Sequence, residues 1–119
     1  MFRGILDELL ATTSGAFAAI FLDWEGETVQ LVCDRDISDH DLRIIGAYQG
    51  IFMSRLRDLC TKTDIGPPQR FKIEFQSLMM LICDVRDGYS IVLLLDSRAN
   101  EGFAWHQMDV GRRKLMAEM

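Results

Sequence analysis

Paired cysteines are missing from this sequence. Its three cysteines, Cys33, Cys60 and Cys83, form no Cys-x-x-Cys, and both histidines stand far from them in sequence. Metal-ligand spacing is therefore absent. An odd count in apolar stretches reads as buried, reduced thiols of a cytoplasmic protein. Long apolar runs are missing too. The longest fall far below the ~20 residues of a membrane helix, so direct membrane insertion is not expected. Asp7 and Glu8 interrupt the N-terminal apolar residues, which argues against a signal peptide. Clustered positive charge is scarce. The net charge is -5, which argues against nucleic acid as a partner, because phosphate binding needs grouped Lys and Arg. The one basic cluster, Arg112-Arg113-Lys114, falls in the last turns of a predicted helix, where cations complement the helix dipole.

Catalytic signatures are equally absent. No phosphate-cradling glycine loop, Gly-x-Ser-x-Gly or His-Glu-x-x-His occurs. His40 sits beside two aspartates in the first turn of a predicted helix, and His106 follows Trp105 on the last helix; both read as surface or half-buried side chains. Asp23 and Asp96 end central strands. Asp34-Arg35-Asp36 reads as a solvated loop. No catalytic residue, cofactor or metal is expected, and the chain reads as a non-enzyme.

What is present is the make-up of one ordinary globular domain over residues 1–119, with 49% hydrophobic and 26% charged residues. A chain of this length can bury a core without disulfides or metals. Ile5, Leu6, Leu9 and Leu10 share one face of a helix from Phe2 to about Thr12. Ala16 to Leu22 is a strand apolar on both faces, ending in the turn Asp23-Trp24-Glu25-Gly26. Thr28 to Cys33 is a half-buried second strand. Ile37-Ser38-Asp39-His40-Asp41-Leu42 starts a long helix, with Ser38 as N-cap, that runs to about Lys62. The segment Thr63-Asp64-Ile65-Gly66-Pro67-Pro68 is expected to end it, because two prolines cannot continue a helix. Phe71, Ile73 and Phe75 then alternate with charged and polar residues in a strand with one wet face. Leu78 to Cys83 and Ile91 to Leu95 are apolar throughout and flank an Asp87-Gly88 hairpin turn. Asn100 caps a last helix carrying Ala104, Met108, Gly111 and Leu115 on one face.

Strands one, four and five are apolar on both sides, so helices should cover both faces of the sheet. Strands two and three carry the polar alternation of edges. Two hairpin-connected groups place them outermost only if strand one pairs with strand five. The expected fold is α/β, three-layered, around a five-stranded antiparallel sheet of order 2-1-5-4-3.

The long helix carries the most functional information. Its apolar residues, from Ile44, Ile45 and Tyr48 through Ile51, Phe52 and Met53 to Leu56, Leu59 and Cys60, cover an arc of roughly 200° at 100° per residue. Packing on one sheet needs about 100°. No other segment is free to cover the excess, and a second copy of the same helix is the simplest candidate. Gly46 and Gly50 border the arc and would permit close helix approach, at a cost of about 1 kcal/mol each relative to Ala. Strand three is a predicted free edge, a template for strand addition. The expected dimer interface comprises Ile44, Tyr48, Ile51, Phe52 and Arg55 of the helix with Phe71, Ile73 and Phe75 of the strand.

The order helix, two strands, long helix, three strands, helix resembles the roadblock/dynein-light-chain domain family, relatives of the profilin-like fold that include bacterial MglB-like proteins. Two segments carry the local match. Gly15-Ala16-Phe17-Ala18-Ala19-Ile20-Phe21-Leu22-Asp23-Trp24-Glu25-Gly26 is similar to the family's opening hairpin. Asp96-Ser97-Arg98-Ala99-Asn100-Glu101-Gly102 is similar to its last strand running into Asn-x-Gly. Trp105 stands where family members often carry a basic residue. The resemblance implies a homodimer with paired long helices and a sheet continuous across the third strands. It also implies a Ras-like small GTPase as partner, which such domains regulate or scaffold. Two other classes remain open on the residues alone. A ligand-sensing domain of related fold predicts a closed apolar pocket with convergent polar groups. A thiol enzyme predicts an exposed, activated cysteine.

Overall fold

The computed structural model describes residues 1–119. Helix α1 (Phe2–Thr12) lays Leu6 and Leu9 into the core, with Ile5 and Leu10 half-buried beside them. Strand β1 (Ala16–Leu22) is buried at every position. A turn joins it to β2 (Thr28–Cys33). There the Asp23 carboxylate accepts hydrogen bonds from the backbone N–H of Glu25 at 2.9 Å and Glu27 at 3.0 Å. Backbone bonds from the Asp23 N–H to the Glu27 carbonyl at 2.9 Å and from the Gly26 N–H to the Asp23 carbonyl at 3.0 Å close the same reversal.

Helix α2 (Asp39–Thr63) starts where Ser38 Oγ accepts from the Asp41 N–H at 3.1 Å, satisfying one of the N–H groups a helix start leaves free. It ends at Thr63, one residue past the expected Lys62. Asp64 adopts the left-handed conformation at φ 57° and its N–H returns to the Cys60 carbonyl. The helix is therefore closed by a left-handed cap before Pro67 is reached.

Strands β3 (Arg70–Glu74), β4 (Leu78–Asp84) and β5 (Ser90–Asp96) follow. Asp87 and Gly88 both have positive φ, 54° and 86°, and Tyr89 N–H bonds the Arg86 carbonyl at 2.9 Å. This is the geometry of a two-residue hairpin turn matched to strand twist. Helix α3 (Glu101–Glu118) is capped by Asn100, whose side chain accepts from the Phe103 N–H, and buries Ala104, Met108, Gly111 and Leu115.

The sheet order is β2-β1-β5-β4-β3, with every neighbouring pair antiparallel. The order inferred from strand burial is the one observed. The sheet divides the core in two. On one side α1 and α3 cover Phe21, Leu81 and Leu93 in a cluster of 16 buried residues. On the other, α2 alone covers Ile20, Leu22, Ile82 and Val92 in a cluster of 11.

The glycines of α2 have a different role from the expected one. They face inward. A Cβ at Gly46 would stand 2.8 Å from Leu22 Cδ2, and one at Gly50 would stand 2.5 Å from Gly26 Cα. They bring α2 onto its own β1 and β1–β2 turn, not onto a second helix. The thiols also differ from expectation: Cys83 is buried, whereas Cys33 and Cys60 are half-buried, and all three are free.

Candidate interaction surface

The outer side of α2 is built from residues three, four or seven apart, which share one helical face. Ile44, Tyr48, Ile51, Phe52 and Leu59 all stand exposed there, Tyr48 to 67%. Arg55 is exposed in the same stripe. The inward side is set by Leu42, Gly46 and Met53. The apolar arc is thus wider than the sheet can use, as the sequence indicated.

Strand β3 extends this stripe. Phe71 and Ile73 are half-buried against the α2-side core and Phe75 is 48% exposed. The rings of Phe52 and Phe71 meet edge to face, with centroids 4.8 Å apart at 84°. This contact joins helix and strand into one apolar surface. All eight residues of the expected interface lie on it.

The opposite face of β3 is polar and internally paired. Lys72 Nζ lies 2.6 Å from Glu101 Oε1 and 2.8 Å from Glu74 Oε1. Trp105 Nε1 donates to the second Glu101 oxygen at 3.1 Å. Hydrogen bonds donated to Glu101 and then Glu74 hold the Lys72 ammonium above its ordinary range, and those received from Lys72 and then Trp105 hold Glu101 below its own. The Arg70 guanidinium stacks over the Trp105 ring at 4.5 Å. Trp105 therefore anchors β3 to α3 through both neighbours.

His40 and His106 are exposed. Asp96 bonds Arg35 at 2.7 Å, and Arg35 lies over the Phe17 ring at 4.0 Å. Cys83 is buried with its thiol pushed up to about 12, chiefly by desolvation, which suits no nucleophile. No group of acidic, histidine or cysteine side chains has the arrangement of a metal site. No helix is long and apolar enough to cross a membrane. A groove of about 440 Å³ runs between α3 and the β3–β4 hairpin, lined by Pro67, Arg70, Asp84, Trp105, Asp109 and Arg112 among others. Its charged groups already have partners: Arg57 holds Asp84 at 2.9 Å and Arg112 holds Asp109 at 2.8 Å. It is not the closed apolar pocket that a ligand sensor predicts.

The sequence reading missed the Arg57 bridge, which also reaches the Gly88 carbonyl and ties α2 to the β4–β5 hairpin. The helical stripe offered a signal, since Arg57 lies on the inward side with Met53 and Cys60. It also missed the edge-to-face contact between Trp24 and Tyr89 where the two hairpin turns meet.

Solved structures share this architecture. A roadblock/LC7 domain from Streptomyces avermitilis superposes with a TM-score of 0.86 at 13% identity, over 97% of this chain and 94% of that one. MglB from Myxococcus xanthus gives 0.86 at 12% identity, over 98% and 92%. MglC from the same organism gives 0.68 at 20% identity, over 99% and 98%. No protein-family model matches the sequence, and no curated protein matches it. The likeness is one of fold: an α/β protein whose one long helix lies alone on its face of the sheet. The chain has the roadblock/LC7 fold, in the form also seen in MglB.

Proposed function

We propose that residues 1–119 act as one roadblock-type domain, a non-catalytic homodimeric module of the cytoplasm that regulates or scaffolds a Ras-like small GTPase. The observation that carries the self-association is the continuous apolar surface of α2 and β3. It holds five exposed large apolar side chains on the helix alone, on a chain whose own elements leave nothing to cover it. A second copy brings an identical surface, and isologous pairing closes after two. The interface is Ile44, Tyr48, Ile51, Phe52, Arg55, Phe71, Ile73 and Phe75. The MglB-like fold supports this reading, and one MglB structure is described as a tetrameric arrangement.

The partner class rests on the roadblock resemblance. The lack of any catalytic constellation agrees with a regulator that works on the partner's own catalytic groups. Replacing Ile51 and Phe52 by Asp should yield a folded monomer by light scattering, since both side chains stand on the surface of the subunit. A dimer that survives this change places the interface elsewhere. Pull-down with GTP- and GDP-loaded small GTPases of the same cell tests the partner. Binding in neither state removes the GTPase assignment and leaves the dimer untouched.

A further inference from the structure

The end of the sheet where the β1–β2 and β4–β5 turns meet carries a tryptophan that the core does not use. Rings lead outward to it. Phe2 meets Phe21 with centroids 5.0 Å apart, Phe21 meets Tyr89 at 5.5 Å, and Tyr89 meets Trp24 at 5.7 Å. Phe2 and Tyr89 pack against the core beneath α1 and α3, whereas Trp24 belongs to neither core cluster. It is 57% exposed. An aromatic side chain stabilises a fold by leaving water, and Trp24 leaves little of it.

Its place is nevertheless fixed. A Cβ at Gly88 would stand 2.7 Å from Trp24 Cβ, so the backbone of the β4–β5 turn lies directly against it. The Arg57 guanidinium holds the Gly88 carbonyl at 3.2 Å. The Asp23 carboxylate holds the other turn through the Glu25 and Glu27 N–H groups. An exposed indole on a rigid base loses little freedom when covered, which suits it as an anchor at a protein contact.

Charge says what covers it. Glu25 and Glu27 stand in the same turn, exposed and without ion pairs. Asp87 stands in the facing turn, 3.6 Å from Arg86, the one cation of the two turns. Nucleic acid and anionic lipid are repelled by such a surface. A second copy turned about a two-fold axis would set the same carboxylates against each other, which costs affinity. A lysine or arginine side chain meets both features at once. Its cation suits the face of the indole and the carboxylates beside it.

We propose that the two turns, with Trp24 at their centre, form a docking surface for a basic segment of another protein. One cationic side chain lies on the indole, and Glu25 and Glu27 take its neighbours. The surface shares no residue with the α2–β3 stripe and does not depend on self-association.

Nuclear magnetic resonance of the ¹⁵N-labelled chain tests this. The two indole N–H signals report Trp24 and Trp105 separately, and Trp24→Phe assigns them. A peptide of alternating lysine and serine should move the Trp24 signal and the amides of residues 23–27 to saturation, and leave Trp105 in place. Trp24→Ala, which removes a side chain the core does not use, should keep the fold and weaken binding roughly fivefold, the usual strength of an exposed cation–π contact. Glu25→Gln combined with Glu27→Gln should weaken binding and flatten its salt dependence. Ile51→Asp should leave binding unchanged, which separates this surface from the proposed dimer interface. The proposal is overturned if the peptide does not bind, or if it moves other signals in place of Trp24. It is equally overturned if Trp24→Ala binds as tightly as the wild type, or if a glutamate–serine peptide or phosphatidylglycerol vesicles move the Trp24 signal as far.

Discussion

The two faces of the sheet are built from the same five strands and end in opposite ways. On the first, α1 and α3 pack together and turn charge outward: Lys114 reaches Glu8 at 2.9 Å, Arg3 lies 3.8 Å from Asp7, and Arg112 and Arg113 share Asp109. On the second, α2 lies alone and turns Ile44, Tyr48, Ile51 and Phe52 outward. Both helix layers bury apolar residues beneath them, so core formation does not explain the contrast. What differs is the next layer out. A face that meets water carries ion pairs of little energetic weight that keep it solvated. A face that carries aromatics and isoleucine instead fits the proposed interface.

The largest expected effect lies under the solvated face. Leu93 is fully buried in the cluster beneath α1 and α3. Leu93→Ala removes packed methyl groups and leaves a cavity, so subunit stability should fall by about 3 kcal/mol in urea unfolding. Ile51→Asp, compared at concentrations where the chain is monomeric, should change it far less. If the two variants lose equal stability as monomers, the outer stripe of α2 belongs to the core and the contrast between the faces fails.

A smaller effect probes how α2 sits on its face. Gly50→Ala places a methyl group 2.5 Å from Gly26 Cα, where both neighbours are backbone. The helix must shift outward, at a cost of about 2 kcal/mol by thermal unfolding. A neutral result would show that α2 has slack against the β1–β2 turn. This contact also marks how far the sequence could be read. Strand polarity was legible because alternation and continuous apolar runs report burial directly, as in Arg70 to Glu74 against Ile91 to Leu95. The apolar stripe of α2 was legible for the same reason. The purpose of Gly46 and Gly50 was not. A glycine signals close approach but does not name what approaches, and here the neighbour lies more than twenty residues away in sequence. The end of α2 was legible to within a residue, but the left-handed cap at Asp64 was not, because Pro67-Pro68 is the stronger sequence signal. The pairing of β3 with α3 through Trp105 was hidden because aromatic and charged partners on separate elements share no local pattern.

Cys83 tests how well the first face is sealed. Burial raises its thiol from 9.0 to about 12, so folding favours the protonated form. That contribution is intact below pH 9 and is lost as pH climbs from 9 toward 12. At pH 10 the wild type should have lost on the order of 1 kcal/mol relative to neutral pH, about one logarithmic unit of differential titration. Cys83→Ala should flatten this alkaline slope in urea titrations at each pH. Alkylation of folded protein should proceed at Cys33 and Cys60 before Cys83. Early labelling of Cys83 would mean that α3 opens readily, and the first face would then be less finished than the second.

The smallest effect comes from the outward charges. Arg113 is 69% exposed and shares the Asp109 carboxylate with Arg112, which holds it at 2.8 Å. Arg112 is also the main cause of the lowered Asp109 carboxyl, so removing Arg113 leaves the stronger partner in place. Arg113→Ala should therefore move stability by less than about 0.5 kcal/mol, and by less still in high salt. A loss of 2 kcal/mol or more would show that ion pairs fasten α3 to the sheet. Charge on the first face would then have a structural role beyond solvation, and the contrast with the apolar side of α2 would weaken.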